Sequence, residues 1–204
     1  MCGIIGIAGT GLTSDRLIEG LRRLEYRGYD SAGIAVINEG KILRRRAEGK
    51  LKNLEKVQFS DPIDGDTGIA HTRWATHGRP TTDNAHPHTS GVVAIVHNGI
   101  IENFKELRAE LEKAGHVFVT ETDSEVIAHL IQSKLDQKQT AKTAFGEAIR
   151  QLRGAFAVAA IMSDLPNHVF AARKGSPLAV GLGEGETFVG SDAMALAPFT
   201  RKVI

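Results

Sequence analysis

The sequence predicts an α+β fold in which two strand layers pack together and helices cover them from outside. Three observations lead there. The chain opens on a strand, gathers its amphipathic helices in the middle, and returns to short strands. The first strand, 3–8, is apolar almost without interruption, as a strand covered on both faces must be. The helices carry an apolar stripe on one face only, so each can cover one side of a sheet.

The elements follow in order. After strand 3–8, Gly9-Thr10-Gly11 begins like a dinucleotide fingerprint, but Ser14 stands where the third glycine belongs, and the segment reads as a turn. Thr13 or Ser14 can cap a helix whose Leu17, Ile18, Leu21 and Leu24 share a face, and it breaks near 26–31. A hairpin is predicted from 33–37 and 41–45 around Asn38-Glu39-Gly40, then a short helix over 50–57 and a turn-rich segment over 60–66. A strand at 67–71 leads into Arg73-Trp74-Ala75-Thr76-His77-Gly78. From 79 to 91 two prolines and many polar residues predict a long loop, either a surface excursion or a lid.

A strand at 92–96 ends in His97-Asn98-Gly99, and a helix over 102–114 is closed by Gly115. A short strand is predicted at 116–119. Thr122 and Glu125 then read as the N-cap and N3 residues of a capping box, which would make Asp123 the first helical residue. A further helix covers 140–152. Strands at 155–162, 169–172, 178–182 and 188–189 follow, and a short helix after Ser191-Asp192 ends at Pro198.

Composition narrows the function. Lys plus Arg number 25 against 24 Asp plus Glu, so no global field draws the chain to nucleic acid or to anionic membranes. The only cysteine, Cys2, leaves no internal disulfide and no thiolate cluster for zinc. The N-terminal apolar run is too short for a membrane span and lacks the basic flank of a signal peptide, so a cytoplasmic protein is expected. His71, His77, His86, His88 and His97 match no compact zinc spacing, and neither a metal nor a cofactor is expected.

Once core and turns are assigned, the remaining polar features sit at strand ends and helix starts: Cys2, Arg27, the 73–78 segment, His97-Asn98-Gly99 and Thr122-Asp123. Each has an ordinary structural reading, a frayed terminus for Cys2 and a turn for Asn-Gly among them. Together they offer a nucleophile in Cys2, a cation in Arg73, an anion in Asp123 and amide donors in Asn98-Gly99. If Met1 is removed, Cys2 carries a free α-amine beside its own thiol, with reference pKa values of about 7.7–8.0 and about 8.5.

Cys2-Gly3-Ile4, Tyr26-Arg27-Gly28-Tyr29-Asp30-Ser31-Ala32-Gly33, His71-Thr72-Arg73-Trp74-Ala75-Thr76-His77-Gly78 and His97-Asn98-Gly99-Ile100 closely resemble the glutamine-dependent amidotransferases of the N-terminal-nucleophile class. Within that class the wording is most similar to the glutaminase domains of glutamine–fructose-6-phosphate aminotransferases. The resemblance spans the chain, and implies that 1–204 is one class II glutamine amidotransferase domain with a four-layer αββα fold. It implies Cys2, Asn98 and Gly99 as catalytic groups, and Arg73, Thr76, His77 and Asp123 as the glutamine-binding set. Trp74 resembles the gate to the ammonia passage, and Arg27, Gly78 and His86 fall in the gate and support region.

The resemblance also implies sugar isomerase domains that are absent here, with fructose 6-phosphate as ammonia acceptor and a homodimeric parent enzyme. Two other readings compete. A non-catalytic interaction domain would have no reason to hold the whole constellation. An autoproteolytic N-terminal-nucleophile hydrolase would need a propeptide, whereas only Met1 precedes Cys2.

Overall fold

The computed structural model describes residues 2–9, 11–75 and 78–204, so Met1, Thr10, Thr76 and His77 lie outside the described residues. Eleven strands and six helices are found among them. Strands β1 (Gly3–Ala8), β2 (Ser31–Asn38), β3 (Lys41–Glu48) and β4 (Thr67–Arg73) form one sheet with β9 (Ala179–Leu182), β10 (Thr187–Gly190) and β11 (Lys202–Val203). Its order is β11-β9-β10-β1-β4-β2-β3, antiparallel throughout. The second sheet runs β5-β6-β7-β8, also antiparallel, from β5 (His88–Ser90), β6 (Val93–Gly99), β7 (Phe156–Met162) and β8 (Phe170–Lys174).

The two-residue period of strands explains the layering. In β1, Ile4 faces the second sheet while Ile5 and Ile7 face helices α1 (Ser14–Arg22) and α2 (Leu51–Ser60). In β6, Ala94 and Val96 face the first sheet while Val93 and Ile95 face α3 (Phe104–Lys113), α4 (Glu125–Asp136) and α5 (Ala141–Gln151). The short α6 (Ala193–Leu196) seals the outer face of the first sheet through Leu196. Three apolar clusters result, one under each helix layer and one between the sheets. The expected four-layer αββα arrangement is therefore present. Each fully buried isoleucine contributes about 1.5–3 kcal/mol to it.

Four local expectations are corrected. Residues 116–119 form no strand: Val117 and Val119 are exposed, and the Val119 N–H donates to the Glu125 carboxylate at 3.0 Å rather than to a neighbouring strand. Thr122 is not the N-cap of α4, which starts at Glu125 behind Ser124. The Thr122 hydroxyl is committed to His88 Nε2 at 3.1 Å, and Glu125 instead accepts from the Val119 and Thr120 N–H groups. Asp123 consequently precedes the helix.

The loop predicted over 79–91 is not a surface excursion throughout, because residues 84–88 are buried and His88–Ser90 pairs with β6 as β5. The strand β11 was not predicted, being only two residues long.

Candidate active site

The same parity that builds the inter-sheet core aims the polar groups. Cys2 lies two residues before Ile4; His71 and Arg73 lie two and four residues after Ile69; Asn98 lies two residues after Val96. Ile4, Ile69 and Val96 all belong to the cluster between the sheets. Gly3 pairs with Thr72, so the start of β1 and the end of β4 share one edge of the sandwich. The apolar run thus ends in a polar mouth.

β1 is pinned at that mouth. Ser191 Oγ accepts from the Ile4 N–H at 2.9 Å, and the Ser191 N–H donates to the Ile4 carbonyl at 3.0 Å. Cys2 Sγ meets Trp74 twice, accepting from its N–H at 3.2 Å and donating to its carbonyl at 3.4 Å. Burial pushes the Cys2 thiol up, while the Trp74 N–H and the Arg73 charge pull the other way. A thiol held in this state needs a proton acceptor before it attacks.

Asn98 Nδ2 donates to the Cys2 carbonyl at 3.0 Å, tying the two sheets together at Cys2. Gly99 follows with φ +124, and a Cβ there would stand 2.1 Å from the Ala155 carbonyl oxygen, so only glycine fits this bend. A cavity of about 300 Å³ is lined by Cys2, Asn98 and Gly99 together with Arg27, Trp74, Ile100, Ser176 and Pro177. The three expected catalytic residues therefore surround one space.

Arg73 is buried, with its guanidinium donating to the Arg79 and Gly78 carbonyls at 3.1 Å each. Gly78 thus supports the arginine through its backbone. Asp123 is also buried and accepts from the Ile101 N–H at 2.7 Å, which couples the entrance of α4 to the segment that follows Asn98-Gly99. Thr76 and His77, expected to help bind substrate, lie outside the described residues. Trp74 is 45% exposed and meets Tyr29 edge to face at 5.5 Å. The ring lines the same cavity as Cys2.

Arg27 reaches the site from the 3-10 turn Glu25–Arg27. It is ion-paired with Asp192, the N-cap of α6, and its Nε donates to the Tyr26 hydroxyl at 3.1 Å. Gly28 lets this turn press on the Arg73–Trp74 backbone, where a Cβ would come within 2.6 Å of the Arg73 carbonyl carbon. His86 sits deeper than a gate residue would: it is buried, with its ring 4.1 Å from that of His71 and 4.4 Å from that of His88. It packs against His71, which meets Asn98, and is not itself one of the residues lining the cavity.

Sequence reasoning missed Ser176 and Pro177. Gly175-Ser176-Pro177 reads as an ordinary turn between strands, and nothing local places it opposite Cys2. It also missed Asp30, whose carboxylate accepts from the Ala75 N–H at 2.8 Å and so fixes the start of the 74–78 segment. The Tyr-Arg-Gly-Tyr-Asp wording contained that residue, but its partner is 45 positions away.

Fold and site together define a glutamine amidotransferase of the N-terminal-nucleophile type, and comparison bears this out. A family profile described as a glutamine amidotransferase domain matches residues 71–198, and the chain belongs to that family. Among curated proteins, it is 58% identical over 203 residues to glutamine–fructose-6-phosphate aminotransferase (isomerizing) of Zymomonas mobilis, covering 100% of this chain and 33% of the relative. The enzyme of the same name from Gluconobacter oxydans is 59% identical over 204 residues, covering 100% of this chain and 34% of the relative. The chain thus spans about a third of the length of the curated relatives it matches.

Among solved structures, glutamine phosphoribosylpyrophosphate amidotransferase from B. subtilis superposes with a TM-score of 0.82 at 28% identity, covering 96% of this chain and 43% of that one. A glutamine aminotransferase class-II domain protein from Silicibacter pomeroyi has a TM-score of 0.64 at 18% identity, covering 93% of this chain and 88% of that one, and shares the fold.

Proposed function

We propose that this domain hydrolyses the side-chain amide of L-glutamine to L-glutamate and ammonia through a γ-glutamyl thioester on Cys2. The observation that carries the reading is the convergence of Cys2, Asn98 and Gly99 on one cavity at the meeting edge of two sheets. Arg73 takes the α-carboxylate and Asp123 the α-ammonium group, so that the amide tip reaches Sγ; Thr76 and His77 complete that pocket. The α-amine of mature Cys2, directly or through water, accepts the thiol proton. Attack forms a C–S bond and a tetrahedral oxyanion, stabilised by Asn98 Nδ2–H and the Gly99 N–H. Collapse breaks the C–N bond, with the proton returned to the leaving ammonia, and water then releases glutamate.

In the whole protein, domains beyond this one would isomerise a sugar phosphate, and the ammonia would pass Trp74 to fructose 6-phosphate to make glucosamine 6-phosphate. The extent of the relatives supports further domains, and their printed names support that acceptor. We place the working enzyme in a homodimer and in the cytoplasm, where a free thiol nucleophile stays reduced. Among the described residues, no helix is long and apolar enough to cross a membrane.

The direct test is intact mass after treatment with an alkylating glutamine analogue, paired with a glutamine-to-glutamate assay. One adduct on Cys2 with loss of hydrolysis is expected; an alkylated but active enzyme would refute the assignment. Asn98→Ala should lower kcat by about 10²–10³ with KM little changed, because oxyanion stabilisation exists only during reaction. A loss confined to KM would contradict the role. Asp123→Asn removes a full charge and should chiefly weaken glutamine binding. Titration showing unaltered affinity would remove Asp123 from the pocket.

A further inference from the structure

Asn98 can serve the reaction only in one amide orientation. Its Oδ1 and Nδ2 are interchangeable by a half-turn about the last side-chain bond, and the two orientations present opposite polarity to the cavity. Something must select the one that offers N–H. Behind Asn98 stands His71, fully buried on β4, with Nε2 at 3.0 Å from Asn98 Oδ1 and 3.0 Å from the His97 carbonyl oxygen.

The His97 carbonyl is the deciding contact. A peptide oxygen can only accept, so Nε2 must carry the hydrogen. A ring protonated at Nδ1 alone would set the Nε2 lone pair against that oxygen. It would also bury an N–H at Nδ1, which has no hydrogen-bond partner among the described residues. With Nε2–H in place, Asn98 must turn its oxygen towards His71. Its Nδ2 then points the other way, giving one hydrogen to the Cys2 carbonyl at 3.0 Å and leaving the second for the cavity that Cys2 and Asn98 both line.

We infer that His71 is a positioning residue for glutamine hydrolysis: as the neutral Nε2–H tautomer it locks the Asn98 amide in the orientation that donates to the oxyanion. Surroundings favour that state. The His86 ring packs on His71 at 4.1 Å, and burial holds His71 down to about 3, so it stays neutral over the working pH range. Arg73 on its own strand opposes protonation through its charge, and His97 of β6, a titratable neighbour, does so whenever it is itself protonated. His97 is itself directed elsewhere, with Nδ1 at 2.8 Å from Ser124 Oγ. The inference rests on the oxyanion role of Asn98 proposed above.

The test is a mutant cycle on the full chain, read as kcat and KM for glutamine. His71→Leu should lower kcat by about 10–100-fold with KM little changed, a share of the loss expected from deleting the Asn98 donor. His71→Gln places an amide N–H near the Nε2 position and should recover most of that loss. In an Asn98→Ala background, His71→Leu should cost less than about twofold more. An equal penalty in both backgrounds, or a Gln variant as poor as Leu, would overturn the inference while leaving the Asn98 reading intact. An Asn98→Ala enzyme with unchanged kcat would overturn both. Should His71→Leu fail to fold, ¹⁵N shifts of the His71 ring in the unmodified chain decide: the Nε2–H pattern supports the lock, and the Nδ1–H pattern refutes it.

Discussion

Replacing Cys2 with alanine is expected to abolish glutamine hydrolysis altogether. Cys2 is the only thiol in the chain, so no second thiol can take over. The remaining donors, Asn98 and Gly99, would still bind a tetrahedral oxyanion but would have no covalent intermediate to stabilise. The fold should survive. Cys2 lies ahead of β1, and the strand is anchored by Ile4, both by its burial and by its two hydrogen bonds with Ser191. The loss should therefore appear in kcat with little change in thermal stability. A mass-confirmed Cys2→Ala protein that still turned over glutamine would remove the nucleophile from the mechanism. A chain that keeps Met1 should be equally inactive, since its Cys2 nitrogen is an amide and cannot accept the thiol proton. Sorting activity against intact mass in processed and unprocessed samples checks this.

The second large effect is on stability. Four histidines, His71, His86, His88 and His97, are buried together between β4, β5 and β6 and the residues leading into β5. Burial holds His97 down to about 4 and His71 to about 3, and His86 and His88 well below the usual 6.5. Below pH 6.5 the unfolded chain therefore binds protons that the folded chain refuses. Stability is fully present above 6.5 and falls as the pH drops, at about 1.4 kcal/mol per pH unit for each histidine. With four acting together the slope approaches a value on the order of 5 kcal/mol per pH unit, against a domain stability of about 5–15 kcal/mol.

Acid unfolding should thus begin well above the carboxylate range. Glu125 adds its own loss only later. Burial raises its pKa, but the neighbouring His129 ring and hydrogen bonds from Val119 and Thr120 outweigh that and hold it at about 2, so its contribution is lost from about pH 4 downwards. Denaturant titrations between pH 7 and pH 4.5 check the slope. Stability that stayed flat from pH 6.5 to pH 5 would show that the cluster takes up protons in place.

The buried histidines also mark the limit of sequence reading. His97 at a strand end and His86-Pro87-His88 in a polar segment looked like separate features, and 79–91 looked like a loop. The structure packs the second half of that segment behind His71 and Asn98 instead. Distant neighbours each take up one ring nitrogen in two of the buried histidines: Thr122 meets His88, and Ser124 meets His97. Those partners are more than 25 residues away, beyond any local pattern. The same cause undid the capping box, since Asp123 was committed to the Ile101 N–H and Thr122 to His88.

What the sequence determined by itself was periodic or verbal. Alternation every two residues marked the strands, stripes at helical spacing marked the helices, and a few dense words named Cys2, Arg73, Asn98, Gly99 and Asp123. These follow from local covalent geometry and from residue chemistry, which travel with the chain. Tertiary structure alone decided the strand order, the burial of the 84–88 segment, the approach of Ser176 and Pro177 to the thiol, and the direction in which the Asn98 amide points. Each depends on contacts between residues far apart in sequence. The orientation of one amide is settled by a histidine on the opposite sheet and a peptide carbonyl on its own.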